Sequence, residues 1–269
     1  MELWQALLLG LVEGLTEYLP VSSTGHLLVT QRLLGIAPTE ASNAYAIAIQ
    51  AGAIAAVLGL YARRCRQLIE GLFGRNPAGK RLGTRLVVAF LPAAVLGLAF
   101  DHAIERHLFG AWPIAAAWAA GGVLILVVDR RLDRVGRYDL DSMTLRAALI
   151  IGAAQCAALW PGVSRSLATI LGALGAGLSL AAAVEFSFLL GLLTLGAATS
   201  YKLLQHGHAM MEAYGPVPVV AGFVAAWLAA VVSVRFMVRW LSSHGLGLFA
   251  VWRLLAAVAV VGLLLAGVL

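Results

Sequence analysis

Charge is what this chain has least of. Only 12% of its 269 residues are Asp, Glu, Lys or Arg, against about 25% in an ordinary soluble domain. With 61% hydrophobic residues and a mean hydropathy of +0.91, such a surface could not stay dissolved, so an integral membrane protein is expected. Cysteine is nearly absent as well. Cys65 and Cys156 stand apart, with no C-x-x-C and no metal-ligand spacing, and both read as small apolar residues. No basic stripe interleaves with exposed aromatics, which argues against nucleic-acid binding. The net charge of +6 therefore speaks to topology first. The N-terminus lacks a positive leader and a small-residue cleavage site, and Glu2, Glu13 and Glu17 oppose one further. No removable signal peptide is expected.

What the chain does have is a series of apolar runs. Spans are expected at about 45–61, 86–100, 112–128, 181–201, 217–238 and 248–269. Two further segments break in the middle. Residues 3–19 stop at Pro20 and a Ser-Ser-Thr-Gly run, followed by a short arm at about 27–35; residues 145–160 stop at Pro161-Gly162, followed by an arm to about Gly177. Arms below the ~20 residues of a full crossing, joined by a polar turn, predict re-entrant hairpins, because irregular backbone at membrane depth must be enclosed by protein or water. The loops at 62–85, 129–146 and 235–247 hold most of the Lys and Arg, whereas those at 36–44, 101–111 and 202–216 hold only Arg106 and Lys202. The first set is expected in the cytoplasm, with both chain ends outside.

The predicted architecture is all-α: a polytopic membrane helix bundle of six spans and two re-entrant helical hairpins in one membrane domain. An internal repeat supports it. Leu9-Gly10-Leu11-Val12-Glu13 aligns with Ile151-Gly152-Ala153-Ala154-Gln155, and Val21-Ser22-Ser23-Thr24 aligns with Val163-Ser164-Arg165-Ser166 at the same offset. Three spans follow each hairpin, so repeats at about 1–138 and 139–269 would have inverted topology, and the hairpin tips would meet near the midplane. That arrangement is also a transporter signature.

Polar groups concentrate at those tips. Glu13 and Glu17, four apart, share a helix face. In a low dielectric two such acids suit a divalent cation, a cationic substrate group or one proton; a hydrated vestibule is the plain alternative. Ser22, Ser23 and Thr24 open the arm that carries His26, and Ser164, Arg165 and Ser166 open its counterpart, with Thr169 one turn on. Each arm would aim helix-terminal amides inward, where an anion is favoured. Arg165 suits bidentate phosphate binding or a structural ion pair with Glu13 or Glu17, and the two roles can coexist. His26 has the near-neutral titration that proton transfer needs. Glu185 could line the cavity or bond between helices. Acids, an imidazole, a hydroxyl nucleophile, an arginine and two helix N-termini together suit phosphoryl transfer on a substrate with a lipid tail.

At these residues the sequence resembles the undecaprenyl-pyrophosphate phosphatase family, the membrane enzymes associated with bacitracin resistance. The matching stretches are Glu13-Gly-Leu-Thr-Glu17 with Leu-Pro-Val-Ser-Ser-Thr-Gly-His26, Ala158-Leu-Trp-Pro-Gly-Val-Ser-Arg-Ser166 with Thr169, and Glu185-Phe-Ser-Phe-Leu-Leu190. The resemblance implies hydrolysis of undecaprenyl pyrophosphate in the bacterial inner membrane, at a site open to the periplasmic side, which recycles the carrier lipid for peptidoglycan synthesis. It also implies a divalent cation, Mg or Ca, on Glu13 and Glu17. By the same resemblance Glu17 would be the base, Ser23 the nucleophile or a pyrophosphate-orienting group, and His26 the acid–base or alternative nucleophile. Arg165 would clamp phosphate, supported by Ser22, Thr24, Ser164, Ser166 and Thr169. The expected partners are the polyprenyl pyrophosphate, membrane lipids and a second copy of the chain as a homodimer, with no nucleic acid. The chain departs from the family pattern at Leu167, Leu180 and Leu192–Thr194. A polyprenyl-phosphate flippase is the rival reading, and a site without a nucleophile or acid–base set would favour it.

Overall fold

The computed structural model describes residues 1–130 and 138–269. Its α-helices are α1 Leu3–Thr16, α2 Ser23–Leu33, α3 Glu40–Leu60, α4 Ala62–Leu72, α5 Pro77–Leu108, α6 Ala111–Asp129, α7 Leu145–Gln155, α8 Arg165–Gly175, α9 Leu180–Tyr214, α10 Pro216–Leu241 and α11 Gly247–Leu265. Six are long and apolar enough to cross a membrane: α3, the 77–100 part of α5, α6, α9, α10 and α11. They coincide with the six expected spans. The outward surface is apolar to match, with Val258 71% and Leu98 72% exposed, so the protein is a multi-pass membrane protein.

The two broken segments are helical hairpins. At about 1.5 Å per residue, the 14 residues of α1 and the 11 each of α2, α7 and α8 reach roughly 16–21 Å, short of a hydrocarbon core of about 30 Å. Each second arm starts from a strained backbone. Ser22 (φ 74°) and Ser164 (φ 76°) are the non-glycine residues with positive φ among those described. Each directly precedes its helix, α2 or α8. Such geometry costs on the order of 1–3 kcal/mol and persists only where the surroundings hold it.

Close backbone contact seats the first hairpin. A Cβ at Gly14 of α1 would stand 2.2 Å from the Ala226 carbonyl of α10, and one at Gly52 of α3 would stand 2.3 Å from that of Phe223. Helices α1 and α3 therefore ride on α10 through small residues, the packing that drives association where lipid removes a hydrophobic gradient. Polar ties add to it: the Tyr45 hydroxyl donates to the Ala6 carbonyl at 3.0 Å, and Ser233 donates to that of Gly14 at 2.8 Å. Below the turns, Tyr18 meets Phe188 edge-on at 5.2 Å within a cluster that includes Val21, Leu167 and Phe186.

Three stretches read as loops are helical instead. Helix α4 and the start of α5 occupy 62–85, because a charged segment can be helical without entering the membrane. By helical spacing Arg63 and Glu70 share one side of α4 and Leu72 takes the opposite one, where it is exposed. Helix α5 runs on to Leu108 and α9 to Tyr214, past the apolar limits that marked their ends in the sequence. Side chains at 101–103 and 105, and the basic residues Arg131, Arg134 and Arg137 of the loop at 129–146, lie outside the described residues.

Candidate active site

The two hairpin turns meet. Glu17, at the end of α1, accepts a hydrogen bond from Ser23 through Oε2 and pairs through Oε1 with Arg165 of α8 at 3.3 Å. This ion pair joins residues 148 apart in sequence; Glu17 is buried and Arg165 is partly buried. A second tie crosses the same junction, where Ser166 Oγ donates to the Leu19 carbonyl at 2.9 Å. The carboxylate of Glu17 thus touches the hydroxyl of one turn and the guanidinium of the other.

Arg165 is held on several sides. Its Nη1 donates to the Ser187 carbonyl at 2.9 Å, and its guanidinium carbon lies 5.5 Å from the centroid of the Tyr18 ring. Its Nε is buried and has no hydrogen-bond partner. Thr169 braces the start of α8 by donating to the Arg165 carbonyl at 2.9 Å, and it lies 2.7 Å from Ser187 Oγ. Ser164 caps the same helix, accepting from the Leu167 amide at 3.3 Å and lying 3.0 Å from Ser166 Oγ. No side chain caps the first turn of α2, which leaves its amides to an anion.

A cavity of about 470 Å³ opens beside these groups. Glu17, Ser22, Ser23, Thr24, Gln50, Ser164 and Arg165 line it at the hairpin tips, and Gln155, Thr194, Tyr201 and Lys202 add further polar groups. The rest is largely apolar, with Phe90, Ala94 and Leu98 from α5, Leu159 and Trp160 from the second hairpin, and Leu195 and Ala198 from α9. A charged head and an apolar tail would both find matching lining in one space. Glu13 lies behind this wall, 1% exposed. Neither of its carboxylate oxygens has a hydrogen-bond partner, although Glu17, Gln50 and Arg165 surround it. An orphaned buried carboxylate needs a proton or a cation. The residues fit a divalent ion only in part. No three His, Cys, Asp or Glu among the described residues gather as ligands, so Glu13 and Glu17 would need substrate oxygens or water to complete a shell.

The model of the family described as bacitracin resistance protein BacA matches residues 6–259. That match takes in both hairpin turns, five of the six candidate spans in full and every residue lining the cavity, and it ends within the sixth span. The chain belongs to this family. Among its relatives, "Undecaprenyl-diphosphatase" of Sorangium cellulosum is 45% identical over 255 residues, covering 93% of this chain and 83% of that protein. "Undecaprenyl-diphosphatase 2" of Rhodospirillum rubrum is 45% identical over 250 residues, with 93% and 90% covered. "Undecaprenyl-diphosphatase 1" of Chromobacterium violaceum is 43% identical over 262 residues, with 97% and 96% covered.

Within this BacA-family site, His26 stands apart from the other residues singled out in the sequence. It does not line the cavity. Its Nδ1 lies 2.7 Å from the Ser22 carbonyl, which can only accept, so Nδ1 carries the proton. Its Nε2 accepts from the Trp252 indole at 3.0 Å. The ring also packs against Trp118, with centroids 4.6 Å apart. Both nitrogens are occupied, and the visible work of His26 is to hold the strained Ser22 backbone. Glu185 is not a cavity residue either; it pairs with Arg64 of α4 at 2.7 Å. Thr24 lines the cavity and is exposed, whereas Ser166 and Thr169 are buried behind it.

The sequence reading missed three supports. Gln50 donates to Glu17 Oε2 at 3.5 Å and accepts from Thr199 at 3.0 Å, and only its being polar inside a span pointed to it. Gln155, the counterpart of Glu13 in the repeat, accepts from Thr194 at 3.2 Å. Arg253 of α11 is fully buried among main-chain carbonyls, and no sequence signal marked it. Of the departures from the family pattern, Leu167 and Leu180 lie off the cavity, and Thr194 alone in 192–194 reaches its lining.

Proposed function

We propose that this protein hydrolyses undecaprenyl diphosphate to undecaprenyl phosphate and inorganic phosphate in the bacterial inner membrane, at a site facing the periplasm. The product lipid would return to peptidoglycan synthesis, and faster recycling would confer bacitracin resistance. The observation that carries this reading is the contact of Glu17 with both Ser23 and Arg165 in the lining of a largely apolar cavity.

In the reading proposed, the diphosphate lies at the tips, with its isoprenoid tail running between α5, α9 and the second hairpin. Glu17 takes the Ser23 proton, and Ser23 Oγ bonds to the terminal phosphorus. The bridging P–O bond breaks, and undecaprenyl phosphate leaves. Water then releases phosphate from Ser23. Arg165 and the first amides of α2 and α8 meet the charge on the equatorial oxygens. Both nitrogens of His26 are engaged, which supports Ser23 over His26 as nucleophile. Glu13 and Glu17 would hold a divalent cation, Mg or Ca, which would supply charge neutralisation when bound. The two halves are proposed as inverted repeats at about 1–138 and 139–269, on the strength of the matching Ser22 and Ser164 turns. A homodimer is kept as part of the proposal.

The test is phosphate release from polyprenyl diphosphate by the purified protein in detergent, where transport has no meaning. Release of one phosphate per lipid is expected. Binding of the lipid diphosphate with no release would refute the enzyme and promote the flippase.

A further inference from the structure

Arg253 is a buried charge that the chemistry above leaves unused. It lies in α11 and is fully buried, yet among the described residues it meets no carboxylate. Its guanidinium donates to four main-chain carbonyls instead: Nη1 to Pro20 at 3.2 Å, Nη2 to Ala117 and to Gly162 at 2.8 Å each, and Nε to Trp118 at 3.4 Å. Ala117 and Trp118 belong to α6. Pro20 belongs to the turn of the first hairpin and Gly162 to the turn of the second.

Those two carbonyls occupy matching places. Pro20 precedes Ser23 by three residues, and Gly162 precedes Arg165 by three. One planar fork therefore reaches both turns just before the group that each contributes to the cavity. A buried arginine without a counter-ion is costly, and a well-packed apolar residue of similar volume would commonly fold as well or better. What the arginine supplies is five donors in fixed geometry. The turns need such holding, because Ser22 and Ser164 adopt strained positive φ within two residues of the gripped carbonyls. The preceding residue of α11 acts in the same direction, since Trp252 reaches the Ser22 carbonyl by way of His26.

We propose that Arg253 is a positioning residue for phosphoryl transfer: by holding the Pro20 and Gly162 carbonyls in one fork, it fixes Ser23 and Arg165 at the separation where one phosphate meets both. The proposal rests on Ser23 as nucleophile and Arg165 as phosphate clamp. It adds that the register between the two hairpins is set from α11, a helix whose side chains do not line the cavity.

Two variants test it in the full-length protein, assayed on polyprenyl diphosphate in detergent. Arg253→Lys keeps the charge and loses the fork. Gly121→Ala keeps Arg253 whole, but a Cβ there would stand 2.3 Å from Nη2 and 2.7 Å from Cζ, so the guanidinium must shift off its carbonyls. In each, kcat should fall by about 10²-fold, the effect of a small misplacement of reacting groups, while KM stays within about 3-fold. Combined with Ser23→Ala, neither should slow turnover beyond Ser23→Ala alone, because groups that act as a unit do not lose additively. Full kcat in both single variants overturns the clamp, and so does a loss that multiplies with that of Ser23→Ala, which a merely structural role would give. If Arg253→Lys fails to elute as a single folded species, Gly121→Ala decides by the same readings. Near-normal turnover by Ser23→Ala and Arg165→Ala would sink the site assignment and the clamp with it. Collapse in those two with full kcat in Arg253→Lys and Gly121→Ala removes the clamp alone.

Discussion

Arg165 carries both a structural and a chemical load, and replacing it separates the two. Arg165→Ala removes the bond to the Ser187 carbonyl, the stacking on Tyr18 and the partner of Glu17. Breaking a buried pair by deleting one member costs about 3–5 kcal/mol, because the remaining charge is left uncompensated. Here the cost falls on the Glu17 carboxylate, whose side chain is 5% exposed. Loss of a preorganised donor to the transition state costs roughly 10²–10³-fold in kcat on top of any folding defect. Arg165→Lys divides these effects. Lysine retains the charge for Glu17, so the protein should melt close to the wild-type temperature. It cannot reach Glu17, Ser187 and a phosphate oxygen together, so kcat should still fall by about 10²-fold. The assays are thermal melting in detergent and phosphate release under saturating lipid. Near-normal hydrolysis by Arg165→Ala would refute the argument and leave Arg165 with the ion pair alone.

Other outcomes follow from the same geometry. Chelator should abolish turnover and Mg or Ca should restore it, and Glu13→Gln should raise the cation concentration needed for half-maximal rate; an unchanged cation response removes Glu13 from the site. Glu17→Gln removes both the base for Ser23 and the counter-ion of Arg165, so it should cost more activity than Glu13→Gln, and equal activities would contradict that order. His26→Gln should lower activity while leaving the shape of the pH–rate profile intact, since the ring braces Ser22 rather than moving a proton; loss of one limb of the profile would return His26 to the chemistry. Gly14→Ala should destabilise the fold by about 1–3 kcal/mol, the cost of overpacking, because its Cβ would meet the Ala226 carbonyl at 2.2 Å. An unshifted melting temperature would contradict it.

Much of this site could be read from the chain because it is polar where the chain is not. In a sequence with 12% charged residues, Glu13 to His26 and Ser164 to Thr169 stand out by cost alone, and the aligned turns argue that they meet. The Glu17–Arg165 pair bears that out. Roles were harder to read. His26 lies three residues beyond Ser23, one turn along the same helix, so sequence proximity put them together; the ring nevertheless folds back onto its own turn and toward α6 and α11. Glu185 could be read as a cavity acid or as a bond between helices, and it is the second, pairing from α9 with Arg64 of α4. Arg253 was illegible for a different reason. Its partners are carbonyls of four residues, Pro20, Ala117, Trp118 and Gly162, and a main-chain carbonyl carries no residue identity for a sequence to display. Helix α4 was hidden because its charge was read as a loop, though its amphipathic period was present in the residues.

The most direct measurement is a rapid quench of the purified protein with polyprenyl diphosphate labelled on the terminal phosphate, followed by mapping of any label retained on the chain. Attack by Ser23 under the control of Glu17 places the label on Ser23 before phosphate appears in solution. It also makes Ser23→Ala unlabelled and cuts its turnover to a small but measurable residual rate. Label on His26, or wild-type turnover by Ser23→Ala, would contradict the account.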